Sequence, residues 1–199
     1  MTDTVPPLDP RRTALLVMDY QNAVLGLVAD TDALLARAAD AIATARAAGA
    51  HVGYVRVAFT DADVAAVPAT NKAFSNFGQR AAYLHVDAPT SAIHERVAPL
   101  PDDIVVRKTR VGAFSTTDLH AQLQTRGVDT LVLAGVATSG VVLSTVRDAA
   151  DRDYRLVVLA DACADPDPQV HEVLTQKVFP RQAFVIDAHA LREALSGAR

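Results

Sequence analysis

Hydrophobic and polar positions alternate along this chain in two rhythms. Short, nearly continuous apolar runs rich in branched residues occur at Thr13–Met18, His51–Ala58, Asp103–Arg107, Thr130–Val136, Arg155–Ala160 and Gln182–Ile186. Runs of this length, apolar towards both faces, are the pattern of strands in a parallel sheet. Between them lie stretches with the spacing of amphipathic helices, of which Thr31–Ala48, started by Thr31 or Asp32 and stopped by Gly49, is the clearest. A second helix continues past Gly140 to Ala150, and a closing helix covers Ala188–Leu195. Asp165, Pro166, Asp167 and Pro168 read as a further helix start, with acidic residues at its positive end. The leader MTDTVPPLDPRR, residues 1–12, reads as an extended surface tail. From Phe59 to Pro101 little periodicity is visible, and this stretch is expected to supply a lid and oligomer contacts.

The alternation predicts a single α/β domain over 1–199: a doubly wound, six-stranded, mainly parallel sheet with helices on both faces. A chain of 199 residues that is 50% hydrophobic can bury such a sheet. Ligands of open parallel sheets bind beyond the carboxyl ends of the strands. Polar residues at those ends are therefore the candidates for chemistry.

Three strand ends carry them. Thr13–Met18 delivers Asp19, a carboxylate that is seldom buried without a partner; the plainer reading is a cap of the following turn. Gln21 and Asn22 either hold Asp19 by hydrogen bonds or are ordinary turn residues. Asp103–Arg107 leads into Lys108, whose desolvation a carboxylate would offset, and Asp19 is the expected partner. Arg107 takes that place if the register differs by one residue. Thr130–Val136 opens into the small-residue turn Ala137, Thr138, Ser139 and Gly140, whose N–H groups at a helix start suit a carboxylate or a developing oxyanion. Arg56 lies near the end of the second strand, where it either binds a substrate carboxylate or snorkels to solvent. Lys72 and Phe74, with Asn71 and Phe77, are pocket-mouth candidates against the alternative of a plain surface loop, and Arg110 and Phe114 are weaker pocket candidates.

Three stretches in order, LLVMDYQN around Asp19, IVVRKTRVGAFSTTDL around Lys108 and LAGVATSGVVLSTVRDA around Thr138, resemble the isochorismatase-like (cysteine hydrolase) family. The resemblance covers most of the chain and implies that family's Rossmann-type three-layer fold. It implies that Asp19 and Lys108 are catalytic and that residues Val136 to Val141 line the substrate. It also implies a cis peptide bond between Val136 and Ala137. In the amidase members an acid, a lysine and a cysteine act together, the cysteine three residues after the threonine of the third motif. Here that position is Val141. A valine side chain can neither attack a carbonyl nor form a thioester, so the thiol-dependent mechanism is excluded. What remains resembles the isochorismatase members that cleave a vinyl ether by acid catalysis, with a small carboxylate as substrate and no cofactor. Two other readings stay open. One is an amide or ester hydrolase using Thr138, Ser139 or Ser144, beside which no positioned His is visible in the sequence; the other is a non-catalytic protein that binds a small acid.

Amidase relatives often bind a metal after the second strand through an Asp and two close His. This chain offers Asp61 and Asp63 there, but its first nearby His is His85, so no metal is expected. The net charge of -4 supplies no basic field for nucleic acid. No segment has the apolar length of a membrane span or signal peptide, and the single Cys163 rules out an internal disulfide and suits a reducing compartment. These features lead to the expectation of a cytoplasmic protein, and the resemblance adds that of a homo-oligomer. Cys163 itself reads as a small buried apolar residue outside the motifs.

Overall fold

The computed structural model describes residues 5–75 and 81–196. Six strands, β1 (Thr13–Met18), β2 (His51–Val57), β3 (Ile104–Lys108), β4 (Thr130–Val136), β5 (Arg155–Ala164) and β6 (Phe184–Ile186), form one sheet in the order β3-β2-β1-β4-β5-β6. Every neighbouring pair is parallel. The order reverses between β1 and β4, so the crevice beyond their carboxyl ends is the topological switch point where such sheets place their ligands. Every residue of β1 and β4 is buried, which is why both read as unbroken apolar runs.

The helices are α1 (Asn22–Leu25), α2 (Thr31–Ala48), α3 (Asp61–Ala65), α4 (Leu119–Thr125), α5 (Leu143–Asp151), α6 (Pro168–Val173) and α7 (Ala188–Ser196). Leu34, Leu35, Ala38, Ala41, Ile42 and Ala45 of α2 join Leu191 and Leu195 of α7 in one core layer. Leu119, Leu123, Val146 and Ala149 pack on the opposite face. Gly49 ends α2 in the left-handed conformation expected of a helix-stopping glycine. None of the described helices is long and apolar enough to cross a membrane.

Several boundaries differ from expectation. β5 runs on to Ala164 because a bulge opposite Leu133 and Gly135 lets pairing resume, so Cys163 lies within the strand rather than after it. Lys108 is the last residue of β3 and not the first beyond it. The described part of the leader is no free tail: Leu8 is fully buried with its N–H donated to the Ala194 carbonyl, and Pro10–Arg12 make a 3-10 turn capped by Asp9. One apolar side chain and two backbone anchors outweigh the extended bias of three prolines. The stretch from residue 59 on is fastened to the end of β1 by Asn22 N–H to the Ala92 carbonyl and His94 N–H to the Tyr20 carbonyl.

Candidate functional site

Asp19 follows β1 directly and has a φ of 58°, a left-handed conformation that few non-glycine residues adopt and that Asp tolerates better than most. Its N–H reaches the Val55 carbonyl at 2.8 Å, and its own carbonyl accepts from Gln21 N–H at 2.7 Å. The chain thus leaves the sheet in a sharp turn with the carboxylate 5% exposed. Lys108 enters from β3, 2% exposed, and its Nζ lies 2.7 Å from Asp19 Oδ2. The ammonium also donates to the Val111 carbonyl at 2.8 Å and the Arg110 carbonyl at 3.3 Å, so its three protons meet three acceptors. Asp19 Oδ1 is buried and has no hydrogen-bond partner among the described residues.

Burial raises the Asp19 pKa above the ordinary carboxylate range; Lys108, and more weakly the Val57 N–H, pull the other way without cancelling it. In the balance between desolvation and the ammonium, open in the sequence, desolvation is thus the larger influence.

The turn after β4 forms the adjacent wall. Met18 pairs with Gly135, which sets Asp19 beside the end of β4. A Cβ on Gly135 would lie 2.9 Å from Val142 Cγ2 and 3.2 Å from Met18 Cβ, so only glycine lets the turn fold this tightly over β1. The Val136–Ala137 peptide is cis. Thr138–Val142 form a wide π-type turn that runs into α5, and Val141 is 2% exposed. A Cβ on Gly140 would lie 3.9 Å from Val111 Cγ1, so this turn borders the loop whose carbonyls hold Lys108.

Sequence reasoning missed one residue. His171, in α6, lies with Nδ1 2.8 Å from Thr138 Oγ1, and Asp165 Oδ2 accepts the Ser139 N–H at 2.7 Å. Burial lowers the His171 pKa, with Asp165 opposing. The only sequence signal was a histidine one turn into the helix after the Asp-Pro repeat, and that helix meets β4 only through the sheet order. Thr138 is fully buried, Ser139 is exposed and Ser144 is half-buried.

Other candidates are placed elsewhere. The Gln21 amide does not hold the Asp19 carboxylate: its Nε2 donates to the Val57 and Ser91 carbonyls at 2.8 and 2.6 Å, and its Oε1 accepts from Val57 N–H at 2.8 Å. Fully buried, it ties β2 and the 91–94 segment to the end of β1. Arg56 donates to the Val86 carbonyl at 3.1 Å. Arg107 faces away from Lys108 and pairs with Asp63 at 2.7 Å, so the register selects Lys108 as the partner of Asp19. Phe114 is a core residue, 6% exposed and stacked on Tyr154 at 6.0 Å, because its ring gains more from that aromatic neighbour than from a wet pocket wall. Arg110 is half-buried with its guanidinium 5.6 Å from the Phe74 ring centre, while Lys72 is exposed on the turn before it. Phe77 lies outside the described residues. Cys163, with β4 between its strand and β1, points Sγ towards the Leu133 carbonyl at 3.9 Å. Burial pushes its pKa up to about 12, which keeps it an unreactive thiol. His85 stands 3.9 Å from Asp61 and 3.7 Å from Asp87, yet no three His, Cys, Asp or Glu side chains among the described residues converge as a ligand set.

Chemically, the site offers a buried carboxyl group with one oxygen anchored and one open, a fully engaged ammonium, and a hydrocarbon at the position after the turn. Comparison with known proteins adds its lineage. A family model described as the isochorismatase domain matches residues 13–190. Ureidoacrylate amidohydrolase RutB of Methylobacterium radiotolerans is 33% identical over 94% of this chain and 81% of its own length. A cysteine hydrolase of Pseudomonas syringae pv. phaseolicola 1448A superposes with a TM-score of 0.85 at 27% identity, covering 97% of this chain and 96% of that one. N-carbamoylsarcosine amidase of Thermoplasma acidophilum gives a TM-score of 0.71 at 26% identity over 89% of this chain and 96% of its own.

Proposed function

The chain belongs to the isochorismatase family of hydrolases, and from that premise we propose that it cleaves a small vinyl ether bearing carboxylates, of the isochorismate type, by proton transfer from Asp19. The observation that carries this reading is the open oxygen: Oδ2 is held by Lys108, and Oδ1 is buried with no described partner on a carboxyl group whose burial favours the protonated form. In the first step that proton passes to the terminal methylene carbon of the enol ether, leaving an oxocarbenium ion next to the Asp19 carboxylate. Water adds to the cation and gives its proton back to Asp19. The resulting hemiketal collapses to pyruvate and the free alcohol. The new carboxylate stabilises the cation electrostatically, and no group has to form a bond to the substrate. Arg110, next but one after Lys108 and half-buried with its guanidinium over the Phe74 ring, is the cation proposed to receive a substrate carboxylate.

A second reading is favoured by the relatives, two of which are named for amide hydrolysis. Without a thiol at position 141, that route requires Asp19 to act on water as a base or the Thr138 hydroxyl to attack with His171 as its base. The full burial of Thr138 weighs against the latter. One experiment separates the readings: the protein is incubated in parallel with isochorismate and with ureidoacrylate, following pyruvate and ammonia. Pyruvate release that disappears in Asp19→Asn supports the acid mechanism. Ammonia release without pyruvate overturns it.

A further inference from the structure

Lys108 is held in part by a loop, and one buried hydroxyl of α5 meets that loop. The carbonyls of Arg110 and Val111 complete the ammonium cage. They sit in the turn 109–116, closed at its base by Thr116, whose Oγ1 accepts the Thr109 N–H at 3.0 Å and the Thr109 hydroxyl at 3.2 Å, with Thr116 at a φ of 62°. Ala113 and Phe114 bury the middle of the turn in the core, and the Thr117 hydroxyl donates to the Ala113 carbonyl at 2.8 Å. From α5, the fully buried Thr145 accepts the Ala113 N–H on its Oγ1 at 3.2 Å. Gly112 lies against the same helix, where an added Cβ would sit 3.5 Å from Ser144 Cβ. We infer that Thr145 is a positioning residue for the reaction, holding the 109–116 turn at the level where two of its carbonyls keep the Lys108 ammonium within reach of Asp19.

The inference rests on the reading of Asp19 as the proton donor, since only then does the position of the ammonium matter for turnover. The charge that faces Asp19 is that of Lys108. If the hydroxyl is removed, the buried Ala113 N–H loses its acceptor and the turn must lift to satisfy it. The Val111 carbonyl then lifts with it, and the ammonium follows its lost partner away from the carboxylate. Neither Thr145 nor Ala113 touches substrate in this scheme. Motif two and motif three are thereby joined by a single hydrogen bond, which would account for a polar residue being kept on the buried side of α5.

The test compares Thr145→Val, which keeps the shape and removes the acceptor, with Thr145→Ser, which keeps the acceptor. The first readout needs no turnover: carboxyl carbon NMR titration of Asp19, assigned by its loss in Asp19→Asn. Thr145→Val is expected to move the Asp19 midpoint upward and Thr145→Ser to restore it. The second is pyruvate release, where Thr145→Val should lower kcat roughly tenfold to a hundredfold with KM little changed. The third uses the unaltered protein, in which the Ala113 amide should be protected from hydrogen exchange to the same degree as the core of α5. A wild-type midpoint in Thr145→Val, equal defects in both variants, or rapid Ala113 exchange would each overturn the assignment. Absence of any pyruvate release from the unaltered protein would instead sink the acid reading, while the NMR and exchange results still decide what Thr145 positions.

Discussion

Asp19 and Lys108 are partners across a strand that separates them: β2 lies between β1 and β3, yet Lys108 Nζ reaches Asp19 Oδ2 at 2.7 Å. Val57, the last residue of β2, is paired with Lys108 in register and is held by Gln21, so the lysine crosses over the end of β2 to meet the acid. The consequence is asymmetric. Lys108 holds one oxygen of Asp19, while the other is buried without a hydrogen-bond partner among the described residues.

The pH dependence of turnover follows from that asymmetry. Burial raises the Asp19 pKa, and under the proposed acid mechanism the active form is the protonated one. Activity should be full below the folded-state pKa of Asp19 and fall as the pH rises through it. Asp19→Asn should abolish pyruvate release at every pH while its circular dichroism spectrum stays that of the parent. A variant that retains full activity would remove Asp19 from the mechanism.

Lys108→Met should destabilise the protein in a way that depends on pH. Removing one partner of a buried ion pair strands the other charge, at a cost of about 3–5 kcal/mol. Asp19 can escape that cost by taking up a proton, which its raised pKa makes easy. The loss measured by urea unfolding should therefore be largest above the Asp19 pKa and shrink on acidification. A loss that stays the same at acid and neutral pH would show that the pair is not what Lys108 contributes to stability.

His171 should also contribute less as the pH falls, through its own titration. Its pKa is lowered from the ordinary 6.5 by burial, so the folded state resists the protonated form. Its stability contribution is complete above the unfolded value and is lost as the pH falls from about 6.5 through the folded value. His171→Asn, which places an oxygen near the former Nδ1, should flatten that part of the stability curve and retain the tie to Thr138. Identical acid limbs in thermal melts of the two proteins would rule this out.

Cys163 should be inert in the native protein. With its thiol pKa pushed up to about 12 and its side chain 5% exposed, it should react with Ellman's reagent only after denaturation. Cys163→Ala should cost about 1 kcal/mol of stability and leave kcat intact. Loss of turnover in that variant, measured alongside its unfolding, would place the thiol in the reaction.

Much of the architecture could be read from the chain because its signal is local. Runs such as Thr130–Val136 are buried on both faces, so their apolar character needs no partner to be recognised. Gly49 stops α2 for reasons contained in its own backbone. The ends of β5 and β3 were misplaced because a bulge and a ladder partner, both supplied by other strands, carry pairing further than hydrophobicity does. The roles of Phe114 and Gln21 were not legible for a related reason. An aromatic ring and an amide can serve a core, a hinge between strands or a ligand equally well, and only their neighbours choose.

By itself the sequence determined the layered α/β order, the placement of Asp19 and Lys108 at strand ends, and the absence of sulfur at position 141, because each is a property of residue type and spacing. Tertiary structure alone decided that Lys108 rather than Arg107 meets Asp19, that one carboxylate oxygen is buried without a hydrogen-bond partner among the described residues, and that His171 stands beside Thr138. Those outcomes depend on sheet order and register, which bring together groups up to 89 positions apart in the pairing of Asp19 with Lys108. They depend as well on burial, which raises the Asp19 pKa although an ammonium stands beside it.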